Sequence, residues 1–256
     1  MAYGATVALE QVDFDVCVGE VHALVGENGA GKSTLLRVLA GAERGARGAR
    51  HLAAAAQLAW VPQEAELPAD LRVEEWIFLA AELCSSVGWL QRRAMREQAM
   101  AALQRVGCSA SPQARLGELS ASQRKQVQLA RALRATPAVL LLDEPTAVLG
   151  AAEAAQLFSA LRALVAGGTA VVYVSHRLDE VLALADRVTV LRDGRRVCTD
   201  AIGAVDAHEL VQRMVGREIR RGARGTGAAG AEALRVHDLA VGRVRGLSFA
   251  LRAGEI

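Results

Sequence analysis

Gly26-Glu27-Asn28-Gly29-Ala30-Gly31-Lys32-Ser33-Thr34 carries the spacing Gly, four residues, Gly-Lys-Ser. Each fixed position has a physical job. The glycines let backbone N–H groups curl around phosphate oxygens, Lys32 supplies a cation for the β- and γ-phosphates, and Ser33 offers a hydroxyl to Mg²⁺. The flanks agree: Val21–Val25 reads as a buried strand and Leu35–Ala40 as a helix, which puts the phosphates at a helix N-terminus. The chain has 28 arginines and only two lysines, Lys32 and Lys125, so one of two lysines falls where this loop needs one. The stretch predicts binding of a nucleoside triphosphate.

The bulk composition narrows the surroundings. The 256 residues suffice for one large α/β domain or two small ones. A net charge of +2 gives no global bias toward nucleic acid or acidic lipid. The arginine-rich pieces at 44–50 and 217–224 are interleaved with Gly and Ala and read as solvated linkers. Cys17, Cys84, Cys108 and Cys198 lie far apart with no Cys-x-x-Cys pair, which argues against zinc and a disulfide framework and for reduced thiols in a cytosol. No run of 18 apolar residues exists to span a bilayer, and no basic segment precedes an apolar run at the N-terminus as a secretory signal would.

Working outward, 12–18 and 21–25 read as strands on either side of the Gly19-Glu20 turn, and Leu58–Pro62 as a short strand with Gln63 just past its end. Residues 71–106 carry helical periodicity, with Val73, Trp76, Ile77 and Ala80 on one face and Met95, Met100, Leu103 and Val106 later. Ser120 is placed as the N-cap of a helix over Ala121–Arg134. Val139–Leu142 is a continuous apolar run, as expected of a strand buried on both faces. Helices at 151–165, 178–185 and 206–214 alternate with strands at 170–174, 187–192 and 195–198. Such alternation predicts a mostly parallel, doubly wound α/β sheet. Residues 246–256 repeat 11–21 at an offset of 235, with Phe, Gly and Glu identical, the mark of a duplicated domain that the chain only begins.

A phosphate loop alone leaves kinases, GTPases, motors and transporters open. Three later features narrow the field. Asp143 and Glu144 end the apolar strand, Asp143 placed to hold Mg²⁺ and Glu144 to polarise an attacking water. Desolvated carboxylates need partners, so two of them ending a buried strand are poor structural choices. Leu119-Ser120-Ala121-Ser122-Gln123 opens a helix and so offers a second anion-binding N-terminus. Tyr173-Val174-Ser175-His176 ends a strand with an imidazole able to hydrogen-bond a γ-phosphate. A lone serine cap or a lone histidine is commonly structural; the order of the features carries more than any one.

In that order the chain resembles the ATP-binding-cassette (ABC) ATPases from Tyr3 to Ile256. Gly26–Thr34 is similar to the family's Walker A, Gln63 to its Q-loop glutamine, Leu119–Gln123 to its signature, Asp143-Glu144 to Walker B with the catalytic base, and His176 to the switch histidine. Tyr3 sits where the family places an aromatic that stacks on adenine. Residues 19–34, 175–180, 186–194 and 214–219 resemble more narrowly the tandem-domain ATPases of bacterial monosaccharide importers of the ribose, xylose and galactose type. The resemblance implies a P-loop NTPase cassette over residues 1–215, with a mostly parallel central sheet, a reduced antiparallel β subdomain and a helical signature subdomain. A linker over 216–232 and the first strands of a second cassette over 233–256 would follow.

It further implies ATP and Mg²⁺ as cofactors, with Gly26, Glu27, Asn28, Gly29, Ala30, Gly31, Lys32, Ser33 and Thr34 around the phosphates and Ser33, Gln63 and Asp143 about the metal. Glu144 would orient water, His176 would brace the γ-phosphate, Gln63 would couple to a permease, and Ser120 would act on a partner cassette's ATP. The implied partners are membrane permease subunits, a second cassette and, indirectly, an external sugar-binding protein, at the cytoplasmic face of the membrane and without nucleic acid. A nucleoside-importer ATPase and a catalytically idle cassette are the alternatives. The chain departs from the pattern in starting almost at Tyr3, in a short Gly41–Gln63 connection, in Gly150 where many members carry Asp, and in a second cassette only begun. It is therefore expected to be a fragment that binds ATP weakly and hydrolyses it slowly alone.

Overall fold

The computed structural model describes residues 1–3, 6–43, 46–53, 56–216, 230–242 and 244–254, in two compact units, Met1–Arg217 and Glu218–Ile256. The first unit runs β1 (Ala2–Tyr3), β2 (Thr6–Val7), β3 (Val21–Val25), α1 (Lys32–Ala40), β4 (Leu58–Val61), α2 (Val73–Phe78), α3 (Arg92–Arg105), α4 (Ala121–Arg134), β5 (Val139–Asp143), α5 (Ala151–Ala166), β6 (Ala170–Val174), α6 (Leu178–Leu184), β7 (Arg187–Arg192), β8 (Arg195–Ala201) and α7 (Ala207–Val215). The second holds the antiparallel hairpin of β9 (Glu232–Val241) and β10 (Val244–Arg252).

Six strands form one sheet in the order β4-β5-β6-β3-β7-β8, parallel except for the antiparallel edge strand β8. Apolar runs suit this position because β3 and β6 are buried along their whole length. Alternate residues divide between two layers. Val21, Ala23 and Val25 join Leu140, Leu142, Val171 and Tyr173 in the larger core, with Val127 and Leu129 of α4, Leu157 and Leu161 of α5, and Val181 of α6. Leu24, Leu141, Val172 and Val174 face the other way, against Leu35 and Leu36 of α1. Parallel pairing has a decisive consequence: the C-terminal ends of β3, β4, β5 and β6 emerge along one edge of the sheet, where open α/β sheets bind their ligands.

Several sequence expectations shift. Residues 12–18 keep the burial alternation of a strand, with Val12, Phe14 and Val16 half-buried against the α1 layer, but form no ladder. A strand needs a hydrogen-bonding neighbour as well as an apolar face, and the adjoining two-residue strands β1 and β2 pair with each other. Among the described residues the antiparallel β subdomain is accordingly reduced to that short pair. The periodicity over 71–106 breaks between α2 and α3, where Leu79 leaves helical backbone at ψ 124°, Ala80 has φ +64° and Gly88 φ +85°. Ala80 and Met100 are therefore exposed rather than on a buried face. Helix α1 starts at Lys32, three residues earlier than read, and β8 runs on to Ala201. Most of the expected linker, 217–229, lies outside the described residues.

Candidate nucleotide-binding site

After β3 the chain turns through Gly26–Gly31 into α1. The turn depends on glycine at two places. A Cβ on Gly26 would lie 2.3 Å from the Leu191 carbonyl oxygen, and one on Gly31 would lie 2.6 Å from that of Ala8, with Gly31 also at φ +100°. Gly31 caps α1 without a side chain, and the first helical bond is from Leu35 N–H to the Gly31 carbonyl, 2.9 Å. The N–H groups of Lys32, Ser33 and Thr34 precede any helical acceptor, so the helix offers them to an anion. Within the loop Ala30 N–H donates to Glu27 C=O at 3.1 Å, while Glu27, Asn28 and Gly29 are exposed. Lys32 is buried and its Nζ donates to the carbonyls of Gly26 at 2.8 Å and Glu27 at 2.9 Å. Burial lowers the pKa of Lys32, against the pull of Glu144 and Asp143 nearby.

Asp143 ends β5, 3% exposed, with the Ser33 side chain beside it. Burial raises its pKa, opposed by the Ser33 hydroxyl and by Lys125 and Lys32. A desolvated carboxylate beside a hydroxyl suits Mg²⁺, which takes one or two carboxylates together with phosphate and water oxygens. Among the described residues no three His, Cys, Asp or Glu side chains gather into a metal cage.

The next residue, Glu144, has left-handed backbone at φ +45°, an uncommon conformation for a side chain of its size, and its N–H donates to Val174 C=O at 3.0 Å. Its two carboxylate oxygens are engaged separately. Oε1 lies 3.0 Å from His176 Nδ1, and Oε2 accepts from Gln63 Nε2 at 3.4 Å. The ends of β4, β5 and β6 thus bring Gln63, Glu144 and His176 into one constellation beside Lys32 and the Ser33–Asp143 pair.

A family model for ABC transporters matches residues 9–147. The chain belongs to the ABC transporter family. It is 43% identical to the ribose import ATP-binding protein RbsA of Chelativorans sp. (strain BNC1), over 99% of this chain and 52% of that protein. It is 41% identical to a putative ribose/galactose/methyl galactoside import ATP-binding protein of Rhizobium meliloti (strain 1021), over 97% and 52%. The chain spans about half the length of the curated relatives it matches. Among solved structures, the ATP-binding cassette MJ0796, a dimer in a post-hydrolysis state with ADP and Pi, shares the fold at a TM-score of 0.70 and 22% identity, over 77% of this chain and 91% of that one. A second, described as an ATP-binding subunit of an ABC transporter, is 25% identical at a TM-score of 0.67, over 86% and 91%.

Other residues singled out for an ABC cassette stand apart from this constellation. Ser120 is engaged locally: its hydroxyl accepts from Gln123 N–H at 3.2 Å while Gln123 Oε1 accepts from Ser120 N–H at 3.1 Å, a capping box that starts α4. Tyr3 lies in β1, and the placement of its side chain falls outside the described residues. No helix among the described residues is long and apolar enough to cross a membrane.

Three further polar groups are not marked out for the site by the sequence, two of them bonded to residues of the constellation or its neighbours. Lys125 of α4, 5% exposed, donates to the carbonyls of Pro62 at 2.7 Å and Gln63 at 3.0 Å, fastening α4 to the residues just past β4. Its signal was its rarity, the same one that favoured Lys32. Ser122 Oγ lies 2.9 Å from both carboxylate oxygens of Glu153, whose Oε2 also accepts from Gly150 N–H at 2.8 Å. Glu180 is the third, buried beside the residues that follow β5 and β6.

Proposed function

We propose that this chain is the ATP-binding and ATP-hydrolysing part of a bacterial sugar ABC importer, of the ribose-related kind that its relatives' names describe. The observation that carries the reading is Glu144, held between Gln63 and His176 beside Lys32 and the Ser33–Asp143 pair. In this reading the backbone of Gly26–Thr34 and the Lys32 ammonium bind the phosphates, and Ser33 and Asp143, with Gln63, hold Mg²⁺, which supplies charge neutralisation when bound. Glu144 orients and polarises water, and His176 braces the γ-phosphate through its ring. Gln63, fastened by Lys125, relays the state of the site to permease subunits at the cytoplasmic face of the membrane. Ser120 and the α4 N-terminus serve ATP bound to a second cassette, so one chain alone has half of each composite site.

That arrangement makes turnover depend on pairing. Measured ATPase activity per chain should rise with protein concentration, or on mixing with a second cassette and embedded permease, and should vanish in Glu144→Gln. Robust turnover by dilute monomer, indifferent to Glu144→Gln, would falsify the reading. Absence of turnover in every setting would make the chain an idle cassette.

A further inference from the structure

Glu180 is an acid with no assigned part in the site, yet its carboxylate gathers more donors than any group in it. It sits in the first turn of α6, 4% exposed. One oxygen, Oε2, accepts three hydroxyls: Thr146 Oγ1 at 2.7 Å, Tyr173 OH at 2.7 Å and Ser175 Oγ at 3.1 Å. The other, Oε1, lies 2.7 Å from Arg177 Nη1, an ion pair whose N–H is not aligned for a hydrogen bond. Ser175 Oγ also accepts from Arg177 N–H at 3.0 Å. Burial and the bond to Glu180 push the Tyr173 phenol upward, so it stays a donor.

What the donors are attached to matters more than their number. Thr146 is two residues beyond Glu144, and Ser175 is the residue before His176. The two loops that leave β5 and β6 therefore meet on one buried atom, directly behind the 3.0 Å contact between Glu144 and His176. Glu144 also needs restraint, because its φ of +45° is not a conformation the residue adopts unaided. A buried carboxylate bonded by three hydroxyls fixes its neighbours more tightly than water would, since each bond is strong at low dielectric and costly to leave unmade.

We propose that Glu180 is a positioning residue for the ATPase reaction: through Thr146 and Ser175 it sets the spacing of Glu144 and His176. The inference rests on the reading of Glu144 and His176 as the hydrolytic pair. Replacing one oxygen by an amide in Glu180→Gln keeps the volume but gives the hydroxyls a competing donor. Thr146→Val removes one hydroxyl at constant shape, and Thr146→Ser keeps it.

The test is steady-state MgATP hydrolysis by the full chain at a concentration where it turns over, with melting temperature recorded for each variant. Glu180→Gln and Thr146→Val should lower kcat about 10-fold or more, since small misplacement of catalytic groups is costly. KM for MgATP should stay within about 2-fold, and Thr146→Ser should restore kcat. Unchanged kcat, or a loss that only tracks falling KM affinity and melting temperature, overturns the proposal. If Glu180→Gln does not fold, Thr146→Val and Ser175→Ala carry the test. If the wild-type chain shows no turnover, the functional reading fails separately, and the ring ¹⁵N signals of His176 decide. They should move in Thr146→Val and return in Thr146→Ser; signals that stay put overturn the proposal.

Discussion

The two halves of the candidate site are made in different ways. On one side, Gly26–Thr34 is a backbone device: its working groups are N–H donors and one ammonium, and its shape depends on glycines that leave room for the Leu191 and Ala8 carbonyls. On the other, Asp143–Thr146 and Ser175–His176 form a side-chain device, in which carboxylates, hydroxyls, an amide and an imidazole hold one another. A backbone cradle is local and self-contained. The side-chain half is assembled from three strand ends and a helix, so its geometry is a property of the whole sheet. In the proposed function binding energy is concentrated in the first half and reactivity in the second, so substitutions in the two halves should separate the two.

The largest effect belongs to the side-chain half. Glu144→Gln should cut hydrolysis by about 10²–10⁴-fold, the usual worth of a general base, with MgATP affinity nearly intact in an equilibrium titration. Loss of binding to the same degree would erase the distinction between the halves. Lys32→Met should do the reverse, weakening nucleotide binding by about 10–100-fold through the loss of a charge-assisted bond, readable by calorimetry. Next comes the glycine dependence of the cradle. Gly31→Ala places a Cβ 2.6 Å from a backbone oxygen at φ +100° and should cost about 1–3 kcal/mol of stability in urea unfolding. A neutral result there would show that the turn adapts.

The smallest effect has the opposite sign. Burial holds the Asp143 carboxyl above the usual carboxylate range, so the charged form is a burden on the nucleotide-free fold. Asp143→Asn should raise the melting temperature of the free chain by about 2–4 °C and abolish the further rise that MgATP gives the wild type. The sign with pH follows from linkage. A carboxyl whose folded pKa is raised favours the fold at low pH and costs it stability as pH rises through that value. The advantage of Asn over Asp should therefore grow as pH rises from the ordinary carboxylate pKa of about 4 to the raised folded value, and level off above it.

The same contrast explains what could be read from sequence. The cradle was legible because all its determinants are contiguous: strand, glycines, lysine, helix. The parallel sheet was legible too, because the runs at 21–25, 139–142 and 170–174 are apolar on both faces. Asp143, Glu144 and His176 could be seen as polar residues ending buried strands, although the contacts of Glu144 with Gln63 and His176 span 81 and 32 residues. Nothing in the sequence singles out Glu180 or the bonds of Lys125; only the fold turns both inward, onto Thr146, Tyr173 and Ser175 and onto the carbonyls of Pro62 and Gln63. At 12–18 the alternation gave the right buried face and the wrong secondary structure, because a period of two says nothing about the neighbour a strand needs.

One feature of the composition has a practical side. The surface positive charge is carried by guanidinium groups, while both lysines are buried, each with its ammonium on two backbone carbonyls. The terminal ammonium of Met1 is likewise bonded, to the Leu9 carbonyl at 2.6 Å. An amine-selective acylating reagent meets almost no background on such a molecule. Its slow reaction at Lys32 would report the opening of the Gly26–Gly31 turn, and at Lys125 the parting of α4 from Gln63, one clock for each junction.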